Sequence, residues 1–311
     1  MELKYKLPEY VVMARMSSKI RILVEGKDDR GHVLNLFNFF APKAKLKVDV
    51  ALNIVGDCNV TRTNNRAKIE KIHSHCKGKS SYRRLFFLCD REFRNFNVDD
   101  AIEDSNADHE VDGNLSWTLG HSIENYFLSP LMLGDGFRYL SGSGRKTQAL
   151  KLFSDLFDDS MRKIAAITLA AREINCASYP VSIVNWSGID VSNGAVDLGL
   201  RAGLTADPFM IKFVSVYERY LSIVDRTGID ICARLCRGHT AVVILQRLFS
   251  ACLYAVGEEV DDETAMYDAN LFNNLPETSI SSALSEAWVR KLADGQSQYP
   301  RPLVELVSSV A

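Results

Sequence analysis

The stretch KIRILVEGKDD, residues 19–29, runs a short apolar and β-branched segment straight into a glutamate, a glycine and three further charges. Apart from Arg21 its positions from Ile20 to Val24 are apolar, which is the pattern of a strand buried on both faces, and residues 19–26 therefore read as such a strand. Immediately after it, KDDRGHVLNLFNFF (27–40) changes to a helical period and places Val33, Leu36, Phe37 and Phe40 on one face. A buried strand thus delivers Glu25 to its C-terminal end, and Gly26 allows another backbone or a ligand to come close there.

The same alternation continues outward. LKVDVALNIV (46–55) reads as a second strand and TNNRAKIEKIHSHC (63–76) as a basic helix with Thr63 or Asn64 as its N-cap. RRLFFLCD (83–90) reads as a third strand, again ending in a carboxylate, and NLSWTL (114–119) as a fourth. Strand, helix, strand, helix, strand is the order of a parallel sheet covered by helices, and in such sheets ligands gather at the carboxyl ends of strands. Both Glu25 and Asp90 fall there. Beyond Pro130 the period is mainly helical, at about 146–172, 207–224, 238–256 and 279–293, with a turn-rich interval at 179–199 that suits a short strand or an extended loop. The expected organisation is an α/β domain over 1–135 followed by a mainly helical domain over 136–311.

Composition excludes several classes. Of 311 residues 47% are hydrophobic and 24% charged, so the chain is ordinary globular material and not disordered. No apolar run approaches the roughly 18 residues that span a bilayer, and the first residues carry charges where a secretory signal needs an apolar core; a cytoplasmic protein without membrane contact is expected. Seven scattered cysteines without C-x-x-C spacing suit reduced thiols. Cys232, Cys236 and His239 share one face of a helix extended through them, but a closed zinc site needs a fourth ligand and none is evident, so packing is expected there. GSGRKT (142–147) has Arg145 where a phosphate-binding loop needs glycine before its lysine.

The net charge of −2 conceals a segregation. Residues 61–84 hold Arg62, Arg66, Lys68, Lys71, Lys77, Lys79, Arg83 and Arg84 against Glu70 alone, whereas 98–113 hold seven acids and no lysine or arginine. Such blocks are either solvated faces or a basic strip for phosphates beside an acidic one. Arg62, Arg66, Lys68 and Lys71 recur at three- and four-residue spacings and could track a nucleic-acid backbone; with aromatics nearly absent there, folded RNA read by shape fits better than a single strand.

Three segments carry candidate chemistry. VEGKDD closes the first strand, CDREF (89–93) closes the third with Asp90 and Glu92, and HSIENYF (121–127) follows the fourth with Glu124 and Asn125. Asp90 and Glu92, two residues apart in extended backbone, would point the same way. Carboxylates converging from separate strand ends repel unless a cation lies among them, and hard oxygen donors select magnesium or manganese. Glu25, Asp90 and Glu92 are the candidate ligands and Asp29, beside Asp28, a further ligand or orienting acid. Lys27, Arg91 and Arg94 could stabilise charge on a phosphate. Glu124 and Asn125 could complete the outer shell of the metal or cap a helix.

These residues resemble the TOPRIM motif of topoisomerases, primases and related nucleases: a strand ending in Glu25-Gly26, an acid at Asp29, and a later strand ending in Asp90-Arg91-Glu92. HSIENYFLSP (121–130) resembles the signature of the DUF4435 branch, and within it length and spacing are similar to the AriB-type effectors of PARIS antiphage systems. The resemblance covers residues 20–130; Glu92 is longer than the aspartate many relatives carry there. It implies a magnesium-dependent nuclease held silent by an ABC-type, AriA-like ATPase, released by a phage-encoded trigger, with a homodimer as one released form, and cutting tRNA to halt translation. A DNA-nicking nuclease and a non-catalytic docking subunit of a defence ATPase are the alternatives that the same residues allow.

Overall fold

The computed structural model describes residues 5–200 and 207–311. Contacts group the chain into two compact units, one of Met1–Arg91, Asn106–Ile123 and Val289–Ala311, the other of Glu92–Ser105 and Glu124–Trp288. In place of one boundary at 135/136, the chain changes unit after Arg91, Ser105, Ile123 and Trp288. The expected boundary followed the change in helical texture, and an inserted hairpin or a returning C-terminal segment leaves no mark on texture.

In chain order the strands are β1 (Tyr5–Lys6), β2 (Ile20–Val24), β3 (Leu46–Val50), β4 (Ile54–Val55), β5 (Leu85–Cys89), β6 (Phe96–Val98), β7 (Ile102–Asp104), β8 (Val111–Asp112) and β9 (Leu115–Trp117). The first unit is built on a five-stranded sheet in the order β3-β2-β5-β9-β8, parallel except for the β8–β9 pair. β1 and β4 form a separate parallel pair. The helices of its N-terminal part are α1 (Leu7–Arg15), α2 (Lys27–Phe40), α3 (Asn59–Thr63) and α4 (Asn65–Cys76), and a last helix, Arg301–Ser308, packs on β5 and β9.

Burial on both faces explains why β5 reads as an unbroken apolar run and β2 as one broken only at Arg21. Leu23, Leu85, Phe87 and Cys89 join Leu115 and Trp117 in one core with Tyr10, Val11, Ile69, Ile72 and Cys76 of α1 and α4. Ile22, Val24, Phe86 and Leu88 alternate to the opposite face and are equally buried. Each fully buried side chain of this kind contributes about 1.5–3 kcal/mol, so moving β2 or β5 to an edge would forfeit several such contributions. β3 ends at Val50 instead of running to residue 55, because Ala51–Asn53 form a turn of 3-10 helix and the chain then pairs with β1.

Among its described residues the second unit is mainly helical, with the antiparallel hairpin β6–β7. Its helix Gly238–Ala255 is buried almost all round, Ile244, Leu245, Leu248 and Phe249 being fully enclosed. Phe249 lies 5.3 Å from Phe137 and 4.7 Å from Phe272, ring centre to ring centre, which ties this helix to Pro130–Leu140 and Asp262–Asn273. Such pairs add about 0.5–1.5 kcal/mol beyond burial. The interval 179–199 holds no ordinary strand among the described residues, only short helical turns and a bridge between Asp190 and Asp197.

Candidate active site

The strand order fixes where a ligand site belongs in the first unit. From β2 the chain goes to β3 on one side and then to β5 on the other, so the order reverses between β2 and β5. Open α/β sheets bind ligands in the crevice outside the carboxyl ends of strands at such a reversal. Glu25 follows β2 directly and Asp90 follows β5 directly. The backbone N–H of Asp90 donates to Glu25 Oε1 at 3.0 Å, so the two acid-bearing strand ends are bonded to each other. Both residues are half-buried. Beneath them the Cys89 thiol is buried, and its pKa is pushed well up, first by desolvation and then by the negative charges of Glu25, Glu70 and Asp90. Cys89 is therefore a protonated wall of the site and not a nucleophile.

Gly26 is the N-cap of α2 and its N–H donates to Asp29 Oδ2 at 2.7 Å. Asp29 is thus an N3 carboxylate satisfying an amide at the helix start, favoured there by the helix dipole. A Cβ on Gly26 would stand 3.3 Å from that same oxygen, tighter than ordinary contact, which gives the glycine a steric reason. Of the two neighbouring acids, Asp29 is half-buried and turned to the backbone, whereas Asp28 and Lys27 are exposed.

Past Asp90 the expectation of extended backbone fails. β5 stops at Cys89 and the chain enters a turn in which Glu92 has φ 52° and Asn95 φ 61°. The alternation that would have aimed Asp90 and Glu92 alike does not apply to left-handed backbone. Glu92 and Arg94 are exposed and belong to the second unit, where the Phe93 ring is covered by the Arg172 guanidinium at 4.3 Å. Arg91 is also unlike its expected role. Only 1% exposed, it donates from its guanidinium to Leu119 O at 2.8 Å and from its backbone N–H to Thr118 Oγ1 at 3.0 Å. A guanidinium so enclosed holds the β5 turn to the end of β9 and does not reach a nucleic-acid phosphate.

The second unit holds Glu124 and Asn125 on a 3-10 turn, Ile123–Phe127. Asn125 Nδ2 donates to the carbonyls of Ala233, Arg234 and Cys236 at 2.7, 3.3 and 2.8 Å. These are among the carbonyls left over at the end of the helix Ile229–Leu235, so Asn125 caps that helix and is no outer-shell partner of a metal. Asn125→Ala is expected to destabilise the protein by about 1–3 kcal/mol, and Asn125→Asp by more because a carboxylate would face three carbonyl oxygens. Urea unfolding of the two variants checks both amount and order.

The basic strip is weaker than its sequence suggests. Asn64 breaks it into α3 and α4, its side chain accepting from Ala67 N at 2.9 Å, so Arg62 is on a different helix from Arg66, Lys68 and Lys71. Lys68 is 4% exposed and its ammonium donates to Ala51 O at 3.2 Å and Asn65 Oδ1 at 2.9 Å, which removes it from any nucleic-acid face. Arg66 pairs with Glu70, Lys71 with Asp57, and Lys77 with Asp112. Asp108 of the acidic block pairs with Arg301 in the same unit. Much of the charge segregation is thus answered within the chain, by surface pairs worth about 0–1 kcal/mol each.

The zinc alternative does not materialise either. Cys236 ends the helix Ile229–Leu235 in non-helical backbone, so Cys232, Cys236 and His239 do not share one helix. Burial pushes the Cys232 thiol up to about 12 and the Cys236 thiol well above its ordinary value, which keeps both protonated. Among the described residues no three His, Cys, Asp or Glu side chains are gathered closely enough to hold a metal by themselves. Among those residues there is no ready protein cage of the calcium or zinc kind; magnesium, which dehydrates reluctantly, is commonly bound by only one or two carboxylates together with waters and substrate phosphates. Glu25 and Asp90 fit such an open site: both offer hard oxygens, and a carboxylate accepting one N–H keeps further lone-pair positions. Comparison with protein-family models and with curated proteins returns no match.

Proposed function

We propose that this chain is a divalent-metal-dependent nuclease of TOPRIM type. The observation that carries the proposal is the 3.0 Å bond from Asp90 N to Glu25 Oε1, which joins two acid-bearing strand ends at the reversal point of a largely parallel sheet. Glu25 and Asp90 would hold magnesium or manganese, which when bound lowers the pKa of a water and neutralises charge on the attacked phosphate. Glu25 also fixes the β5 end through the Asp90 amide, and Asp29 holds the start of α2. Lys27, exposed at the first turn of that helix, is a cation that could meet a phosphate there.

The substrate we assign is RNA, tRNA in particular, and the setting an antiphage effector restrained by an ABC-type ATPase and freed by a phage trigger; the motif resemblance supports these assignments. Purified protein is expected to cut tRNA with magnesium or manganese and to stop in EDTA. Nicking of supercoiled plasmid with intact tRNA would move the assignment to DNA, and activity undiminished by EDTA would remove the metal.

Glu92, the third acid of the motif, has a separate signature. A left-handed non-glycine residue costs about 1–2 kcal/mol, and residues held so often serve function. Glu92→Gly is expected to raise stability by about 1 kcal/mol while cutting metal-dependent cleavage at least about tenfold. Thermal melting and initial rates measured side by side test it: a variant both more stable and fully active would strip Glu92 of any chemical role.

A further inference from the structure

The edge of the sheet opposite the acids carries charge that the chain does not answer. β3, β2 and β5 are adjacent and parallel, so the loops that enter them meet at one edge, the amino ends of the strands. These loops, residues 15–19, 41–45 and 79–84, hold Arg15, Lys19, Lys43, Lys45, Lys79, Arg83 and Arg84 and not one acid. Main-chain bonds set them side by side: Ile20 N donates to Lys45 O at 3.0 Å and Arg21 N to Arg84 O at 2.8 Å. The Arg84 guanidinium donates to Ser18 O at 2.8 Å, which joins the first loop to the third.

All seven cations are exposed, and among the described residues none is paired with a carboxylate. Lys79 and Arg84 engage the carbonyls of His75 and Ser18, which leave their charge whole. Elsewhere in the basic strip the pairing is different, since Arg66, Lys71 and Lys77 each have an acid. Helix dipoles do not account for the cluster. Their effect fades within the last turn, and of the seven only Arg15 lies in one; Lys43 and Lys45 follow the C-cap of α2, whose own last turn has no cation. Like charges gathered without acids repel one another, so a polyanion gains from all of them at once. Lys19 and Glu25 bracket β2, which puts about 20 Å between this edge and the acids at roughly 3.3 Å per residue. A membrane surface or a small anion lying on the cations would leave the acids turned away. An RNA the size of tRNA has phosphates enough to meet both ends.

We propose that the amino edge of the sheet, from Lys43 and Lys45 through Lys19 to Arg83 and Arg84, docks the phosphate backbone of RNA at a distance from the acids. The choice of RNA rests on the nuclease reading; the unanswered charge does not. Contacts of this kind position the ligand without reading its sequence, so salt and not base identity sets the affinity.

The test is binding of tRNA to the full chain carrying Glu25→Gln, in EDTA, followed by fluorescence anisotropy between about 50 and 200 mM salt. Lys19→Ala, Lys43→Ala, Lys45→Ala and Arg83→Ala together remove side chains that have no bonding partner among the described residues, so the melting temperature should not move. The quadruple variant is expected to bind tRNA at least about tenfold more weakly and to lower the slope of log affinity against log salt by about three, nearly one for each lost phosphate contact. Exchanging the cations instead, Lys19→Arg, Lys43→Arg, Lys45→Arg and Arg83→Lys, should keep both quantities. Removing exposed lysines of the second unit, Lys151→Ala with Lys212→Ala, should keep them too, which separates this face from net charge. A quadruple variant with the affinity and slope of its parent would overturn the proposal, as would tighter binding of phosphatidylserine vesicles or duplex DNA than of tRNA. If the face binds tRNA and the wild type cuts nothing, the nuclease reading fails and the face stands. If the wild type cuts with magnesium and the quadruple variant binds like its parent, the face fails and the nuclease stands.

Discussion

Glu25→Gln is expected to cut metal-dependent cleavage by about 10²–10³-fold or more while the protein stays folded. The substitution is chosen from the geometry. Glu25 does two things: its Oε1 accepts the Asp90 amide at 3.0 Å, and its charge is one of two carboxylates at the strand reversal. Glutamine keeps an acceptor oxygen at the same reach, so the bond between the ends of β2 and β5 survives. What disappears is the negative charge that would favour a divalent cation there on the proposed reading. Glu25→Ala loses both and adds the cost of a half-buried amide without its acceptor, about 1–3 kcal/mol. The informative comparison is therefore kcat and melting temperature for both variants across a magnesium titration. A purely structural Glu25 would leave Glu25→Gln active and Glu25→Ala crippled; a metal ligand leaves both inactive and only alanine destabilised.

The part of this site legible in sequence was the part written in strand endings. An apolar run that stops at an acid names the residue at the carboxyl edge, and two such runs named Glu25 and Asp90. The helix 27–40 was equally legible, because Gly26 and Asp29 close its start locally. What failed was whatever depended on distant partners. Helix Pro130–Leu140 was hidden by Gly134 and Gly136, poor helix formers; a Cβ at Gly136 would meet Leu284 Cδ2 at 2.8 Å, so a larger residue there would oblige that side chain to shift. Asn125 looked like a local cap and in fact serves carbonyls more than a hundred residues away. Glu92 looked extended because strand alternation was carried past the strand's end, into left-handed backbone that no residue type announces. Lys68 and Arg91 looked like surface cations because charged residues usually are, and buried hydrogen-bond partners, among them the carbonyls of Ala51 and Leu119, accompany their burial.

Arg91→Ala should therefore behave as a core lesion and not as a lost nucleic-acid contact. The side chain is 1% exposed and its guanidinium meets the carbonyl of Leu119, just past the end of β9. Truncation removes a charge-assisted hydrogen bond worth about 1.5–3 kcal/mol and leaves Leu119 O beside a void that the missing stem once filled. A total of about 3 kcal/mol follows, which at roughly 2–4 °C per kcal/mol for a domain of 150–250 residues lowers the melting temperature by about 6–12 °C. Arg91→Lys should recover little, since an ammonium lacks the planar fork and is more costly to bury. Because Arg91 N also bonds Thr118 Oγ1, and Asp90 N bonds Glu25, the two successive amides tie β5 to both neighbours just beneath the acids. Loosening the turn should lower cleavage in proportion to unfolding on warming, with the affinity for tRNA of the folded fraction unchanged at low temperature. If instead binding weakens several-fold, its salt dependence falls by about one counterion, and the melting temperature does not move, Arg91 reaches solvent and grips phosphate after all.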